Sequence, residues 1–466
     1  MKNIPTIHTR IRTSYLTALA GLAAATTLPA QQSERPNVIF ILCDDLGFAD
    51  IEAYGNQHIS TPNINKLAKN GMSFTQMYAS STVSGPTRAS LMTGEHTGRT
   101  KIRGHIEISP EGQAPLDTTV KTIAHLFKKA GYATGGFGKW GMGFPGSGSE
   151  PTDVGFDRFY GYNCQRQAHF YYPTWLYDNK TKIALDGKTY SQDVIHQQAL
   201  QFIRNHKDQP FFGYFAYIIP HASLEQPNDS IYQKYADKYC ETPYNGSHYT
   251  SAAKPRAQFA GMVTRLDTYV GEILAELEKS GILENTMIIF TSDNGPHNEG
   301  GADPEFFNTE KRLKGYKRAL YEGGIRMPFI VRWDKKVAPG SINHHIGAFY
   351  DMMPTFADLT GQQETWTQRT DGISILPTLT NEGTQAVHDY LYWEFHEENG
   401  RQAVRQGPWK LLRQNIKNAP SLELYNLDED LYETTNLYLK YPDKVQELVN
   451  IMDGARTPSA LFNFGR

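Results

Sequence analysis

Apolar and polar positions along this chain follow two periods. Continuous apolar runs of strand length occur at Asn37–Leu42, Phe211–Ile219, Met287–Thr291 and Met327–Val331. Such runs predict strands buried on both faces, as in a parallel sheet. Helical spacings lie between them. Thr61–Gly71 places Ile64, Leu67 and Ala68 behind a Thr cap and a Pro, and stops at Gly. Val120–Gly131 repeats that form with Ile123, Leu126 and Phe127. Gly261–Gly281 predicts a longer amphipathic helix through Met262, Leu266, Val270, Ile273, Leu274 and Leu277. Strands alternating with helices predict an α/β fold with a large central sheet between helices. In such sheets ligands bind outside the carboxyl ends of strands. After about residue 385 the texture changes to short strand candidates at Tyr390–Phe395, Gln402–Gln406, Trp409–Arg413 and Leu422–Asn426. A helix from about Asp443 to Met452 follows. This predicts a main domain over residues 31–385 and a C-terminal subdomain over 386–466 with an antiparallel sheet and a helix.

Residues 1–30 have another pattern. Lys2, Arg10 and Arg12 precede an Ala-rich apolar run from Tyr15 to Ala25, then Leu28-Pro29-Ala30, with no acidic residue. A basic start, a short apolar stretch and small residues before a polar Gln31-Gln32 read as a secretory signal peptide. Its loss would take the formal charge from −3 to −6 through those three basic residues. The expected location is exported, in a bacterial periplasm or beyond. No later stretch is apolar for about 18 residues, so no membrane span is expected. With 46 Lys+Arg against 49 Asp+Glu, the balance argues against nucleic acid as a partner. The 40 Gly and 25 Pro are ordinary usage and exclude collagen-like or disordered classes. Three cysteines, Cys43, Cys164 and Cys240, allow one bridge at most, and Cys43 reads as a packed small residue.

Two acidic motifs end two of the strand candidates: Asp44-Asp45-Leu46-Gly47 and Ser292-Asp293-Asn294-Gly295. Adjacent carboxylates repel unless something positive lies between them. Either pair alone also suits a helix cap or a turn. Together, Asp44, Asp45, Asp293 and Asn294 offer hard oxygen ligands that fit Ca²⁺ or Mg²⁺ better than zinc. A third motif is Ser84-Gly-Pro-Thr-Arg88-Ala-Ser-Leu-Met-Thr-Gly94.

This third motif resembles the Ser/Cys-x-Pro-x-Arg signature of the formylglycine-dependent (type I) sulfatases, in its bacterial serine form. The resemblance spans nearly all of the chain after residue 30. It takes in both acidic motifs, Gly138-Lys139-Trp140, Pro220-His221, Gly315-Tyr316-Lys317 and Glu322–Pro328. It also takes in Val404-Arg405, Trp409-Lys410 and Glu423–Leu427. The fold implied is that of the alkaline phosphatase superfamily, a sulfatase catalytic domain followed by a small four-stranded sheet. The resemblance implies that Ser84 is oxidised to formylglycine (3-oxoalanine) by a serine-type radical maturase. It further implies that Asp44, Asp45, Asp293 and Asn294 hold a metal, Ca²⁺ by family and Mg²⁺ by ligand type alone.

An ordinary serine would form a stable sulfate ester and stop. A hydrated aldehyde instead attacks sulfur through one hydroxyl and expels sulfate through the other, a form of covalent catalysis. Arg88, Lys139 and Lys317 are the cations expected around the sulfate, with Arg88 orienting the side chain of Ser84. His221 is the expected proton donor to the leaving alcohol. One position departs from the family. Many members carry a His directly after Gly-Lys-Trp, which assists sulfate release; here that position is Gly141. His297, leaving the second metal loop, is the first candidate to replace it, and reads equally well as a plain loop residue.

Substrate choice lies in loops over the site. Asn163–Pro173, with Arg166 and His169, and Trp393–Glu398, with His396, mix aromatic faces and polar groups suited to a sugar. Either could instead be an aromatic-packed junction. The expectation is an exo-acting sulfatase for a sulfated carbohydrate, with terminal galactose or N-acetylgalactosamine as the sugar. Two alternatives stand beside it: a phosphoester or phosphonate hydrolase of the same superfamily, and a sulfated-glycan binding protein without catalysis.

Overall fold

The computed structural model describes Met1 and residues 35–246, 248–307 and 313–465. The segment read as a signal peptide lies, apart from Met1, outside the described residues. A ten-stranded mixed sheet forms the centre. Its order is Ser341–Asn343, Met72–Phe74, Phe329–Arg332, Thr286–Ser292, Asn37–Asp44, Phe211–Pro220, Ala133–Lys139, Arg158–Tyr162, Trp175–Asp178 and Thr181–Ala184. The five strands from Thr286–Ser292 to Arg158–Tyr162 run parallel. Residues 37–44 are buried throughout, which is why that run lacks polar alternation.

Alternation along a strand sends successive side chains to opposite faces. Ile39, Ile41 and Cys43 pack on one face with Leu266, Val270 and Ile273 of the helix Pro255–Lys279, and with Ile195 of the helix Ser191–His206. Val38, Phe40 and Leu42 pack on the other with Leu91, Phe127, Met352 and Phe356. This is the layered α/β architecture expected. The helix expected at Gly261 already begins at Pro255, because proline at the first position presets its backbone. The run Met327–Val331 yields a strand only from Phe329, since Pro328 has no N–H for the ladder. Cys43 is packed as expected, and Cys43, Cys164 and Cys240 are all free thiols.

The C-terminal part forms a four-stranded antiparallel sheet, Leu391–Phe395, Arg401–Gln406, Trp409–Gln414 and Ser421–Asn426. Trp393, Phe395, Ala403 and Leu412 face Tyr78, Ile325 and Tyr350 of the preceding chain. Tyr392, Val404, Leu411 and Leu424 face Leu448 and Met452 of the closing helix Pro442–Ala455. Trp393 also donates its indole N–H to the Ala79 carbonyl at 2.8 Å. Among the described residues, no helix is long and apolar enough to cross a membrane.

Candidate active site

Parallel pairing sets two acidic ends side by side. Cys43 lies opposite Ser292, so Asp44-Asp45 and Asp293-Asn294 emerge together, all four fully buried. Asp45 takes a left-handed backbone, φ 65°, which aspartate tolerates better than most residues. Its N–H donates to Asp293 Oδ1 at 3.2 Å, and Asn294 Nδ2 donates to Asp45 Oδ1 at 2.6 Å.

Ser84 opens the buried helix Ser84–Thr93, whose N-terminal amide dipoles favour an anion there. Its hydroxyl donates to Asp44 Oδ1 at 2.9 Å. Arg88, one turn on, clamps Asp293 Oδ2 at 2.8 and 3.1 Å, and donates to the Lys139 carbonyl at 2.8 Å. Lys139, at the carboxyl end of Ala133–Lys139, reaches Asp44 Oδ2 at 2.6 Å and Ser84 Oγ at 3.4 Å. Lys317 bonds Asp45 Oδ2 at 2.9 Å, His221 Nε2 at 3.1 Å and Glu299 Oε2 at 3.2 Å. His221 closes the strand Phe211–Pro220, and its other ring nitrogen faces the Ala222 carbonyl.

The electrostatics follow from burial and crowding. Burial opposes charge on Asp44, but Lys139, Arg88 and Lys317 overcome it and hold its carboxyl well below the usual range. Burial and the charge of Asp44 push Asp293 up to about 6 against Arg88. Burial, then Lys317 and Lys139, keep His221 well below the ordinary histidine range, so its ring rests neutral. Burial and the same lysines lower His169 to about 3.

Three carboxylates this close are an excess of negative charge that a divalent cation relieves. Asp44, Asp45 and His221 offer ligand atoms within 4.8 Å of one another. Asn294 Oδ1 is buried with no hydrogen-bond partner, an orphaned oxygen at the same point. The residues therefore fit a hard cation.

A cleft of about 220 Å³ opens over Ser84, Lys139, His221 and Lys317. Its walls include Arg166 and His169 from the loop singled out in the sequence. The His169 ring stacks on His221, centroids 4.8 Å apart. His396 does not line this cleft. Its Nε2 bonds Glu394 Oε1 at 2.8 Å, and its ring stacks on Phe464 at 4.2 Å, so it packs the C-terminal sheet. His297 is 1% exposed and spends both ring nitrogens on the backbone, with the Pro220 carbonyl at 3.1 Å and the Glu299 N–H at 3.2 Å. The walls also hold His105, Glu107, Gln113, Gln165, His248, Tyr249, Arg318 and Glu397. Of these Gln165 and Glu397 fall within the two stretches that the sequence marks out. Glu299, two residues past His297, completes the pairing of Lys317 and Arg318.

Residues 36–362 match a family model described as Sulfatase, and residues 314–455 one described as N-sulphoglucosamine sulphohydrolase, C-terminal. The chain is 28% identical over 518 residues to an N-acetylgalactosamine-6-O-sulfatase of Bacteroides thetaiotaomicron, covering 92% of this chain and 94% of that protein. It is 30% identical over 406 residues to an N-acetylgalactosamine-6-sulfatase of Rattus norvegicus, covering 80% of this chain and 70% of that one. Among solved structures, Ps i-CgsB in complex with k-i-k-neocarrahexaose superposes with a TM-score of 0.77 at 30% identity, covering 90% of this chain and 92% of that chain.

Proposed function

Since the chain belongs to the sulfatase family, as a sulfuric ester hydrolase, we propose that it removes sulfate from a carbohydrate with Ser84 as the site of the nucleophile. The observation that carries this reading is that Ser84 and Lys139 line one cleft and both bond Asp44, a member of the buried Asp44/Asp45/Asp293/Asn294 cluster. Asp44, Asp45, Asp293 and Asn294 would hold Ca²⁺, which supplies Lewis-acid neutralisation of the sulfate oxygens. Oxidised to formylglycine by a maturase and hydrated, position 84 supplies a nucleophile that releases itself after each turnover.

The chain's own groups do the rest. Lys139 and Lys317 neutralise the non-bridging oxygens, and Arg88 holds Asp293 and the Lys139 carbonyl in place beneath them. The Lys317–His221 pair holds the proton for the leaving alcohol. An anionic sulfate in the cleft offsets the lysine charges that keep the imidazole neutral, which favours its protonated form as substrate binds. Arg166, His169 and Tyr249 give the walls polar and aromatic groups suited to one sugar ring. The sugar proposed is a terminal N-acetylgalactosamine or galactose, and the names of two relatives support the former. In this reading residues 31–385 carry the reaction, residues 386–466 support one wall, and residues 1–30 direct export.

The test is sulfate release from a panel of singly sulfated galactose and N-acetylgalactosamine isomers, by protein co-expressed with a serine-type maturase. Release from one isomer, lost in Ser84→Ala, is expected. Faster cleavage of a matched phosphate ester would overturn the sulfatase assignment in favour of a phosphoester hydrolase.

A further inference from the structure

Glycine at 141 leaves a role in the proposed reaction without its family residue. The local packing explains why no side chain stands there. Gly141 has φ +73°, and a Cβ on it would run into the side chain of Gln165. Gln165 is fixed in that place. Its Nε2 donates to the Gly141 carbonyl at 3.0 Å, and its own N–H donates to Gln113 Oε1 at 2.9 Å. A carboxamide fills the space, but it takes up no proton near neutral pH. The proton acceptor must be another group on the same wall.

One group meets the need. A Cβ built on Gly85, directly after Ser84, would lie 3.1 Å from Gln165 Nε2 and 3.5 Å from His105 Nε2. His105 thus stands beside Gln165 against the turn that presents Ser84, and both line the cleft. Its Nδ1 lies 3.3 Å from Glu397 Oε1, and its backbone N–H donates to the same oxygen at 3.3 Å. A carboxylate on Nδ1 orients an imidazole and leaves Nε2 as the proton acceptor. The other histidines of the site are spent differently. His221 is tied to Lys317, His169 stacks on His221, His297 is closed by two backbone partners, and His248 is exposed with its ring edge-on to Tyr249, centroids 4.7 Å apart.

Resting on the reading above, we propose that His105, oriented by Glu397, is the proton acceptor for sulfate release. After transfer of the sulfuryl group, His105 Nε2 takes the proton of the remaining hydroxyl on the hydrated carbon at position 84. The C=O bond forms as the C–O bond to sulfate breaks, and sulfate leaves with that electron pair. The proton then passes to solvent, and water rehydrates the carbonyl. Glu397 is the positioning residue; His105 is the group that touches the reacting atoms.

The experiment uses full-length protein co-expressed with a serine-type maturase, and 4-nitrophenyl sulfate, whose nitrophenolate reports the first step alone. His105→Ala is expected to keep a stoichiometric burst of nitrophenolate, with steady-state turnover lower by about 10²-fold or more. Mass spectrometry of the quenched variant should show one added SO₃ on the peptide carrying residue 84, and imidazole in the buffer should restore part of the turnover. His105→Gln, which keeps a polar partner for Glu397 but takes no proton, should behave alike, so a folding defect in the alanine variant cannot decide the matter. Glu397→Gln should shift turnover in the same direction by less. A variant that loses burst and turnover together without a sulfated peptide, or that turns over like wild type, overturns the assignment of His105. Wild-type protein that carries the aldehyde and releases no sulfate overturns the sulfatase reading itself.

Discussion

At the scale of single residues, the site is a balance of buried charges. Asp44, Asp45 and Asp293 are fully buried and rely on Lys139, Lys317 and Arg88. A bound cation should therefore stabilise the fold as well as serve the reaction. Stripping the protein with a chelator should lower its thermal midpoint, and Ca²⁺ at about 100 times its dissociation constant should restore about 3 kcal/mol. His221→Ala should lose about 10²- to 10⁴-fold on sugar sulfates. It should lose much less on 4-nitrophenyl sulfate, whose leaving group needs no proton, and a comparison of the two substrates checks this. What the sequence reveals at this scale is what lies in short consecutive strings. Asp44-Asp45, Asp293-Asn294 and Ser84 through Arg88 are readable because one strand end or one helical turn delivers each set. His105 and Glu397 are 292 positions apart and meet only in the folded chain. His396 follows an aromatic run that suggests a sugar platform. Strand alternation instead puts it on the same side as Glu394, to which it bonds.

At the scale of elements, strand ends do the positioning. The strands that carry Asp44, His221 and the Asp293 loop are apolar throughout and stand out in the sequence. The strand that delivers Lys139, Ala-Thr-Gly-Gly-Phe-Gly-Lys, has no apolar run and is not predicted by periodicity. Its glycines serve close approach rather than burial. Gly138 has φ +114°, and a Cβ there would strike the Ala216 carbonyl of the neighbouring strand. Gly138→Ala should cost at least ~3 kcal/mol, through a forbidden backbone and a displaced neighbour. Chemical denaturation would show it. Lys139 should also move away from Asp44, so Gly138→Ala should lose activity under conditions where it remains folded.

At the scale of the whole molecule, buried ion pairs tie the two sheets together. Lys410 of the small sheet lies 2.8 Å from Glu322 and 2.9 Å from Glu433, all three fully buried. Glu394 binds Arg103, Arg456 and His396, which joins the small sheet to the loop after helix Ser84–Thr93. Burial alone would raise its carboxyl, but the bonds from His396 and Arg456 and the charge of Arg103 bring it down to about 2. A depressed carboxyl stabilises the fold above its unfolded value near 4.5, and that stability is lost as pH falls toward 2. The stability gap between wild type and Glu394→Gln should therefore be about 3 kcal/mol near pH 6. It should close between pH 5 and 2, as acid titration of thermal midpoints would record. The hydrophobic runs announce the sheets, but nothing in them announces these pairs, because each charge finds its partner only after the layers meet. The same closeness imposes a schedule on the protein's early life. Ser84 is 2% exposed, and the whole helix it opens is buried. A small sugar can reach position 84 down the cleft, but another enzyme cannot close its own active site around it. On the proposed reading, conversion of that serine would belong to the interval between synthesis and collapse, and a molecule that folded before it was converted would have missed its only opportunity.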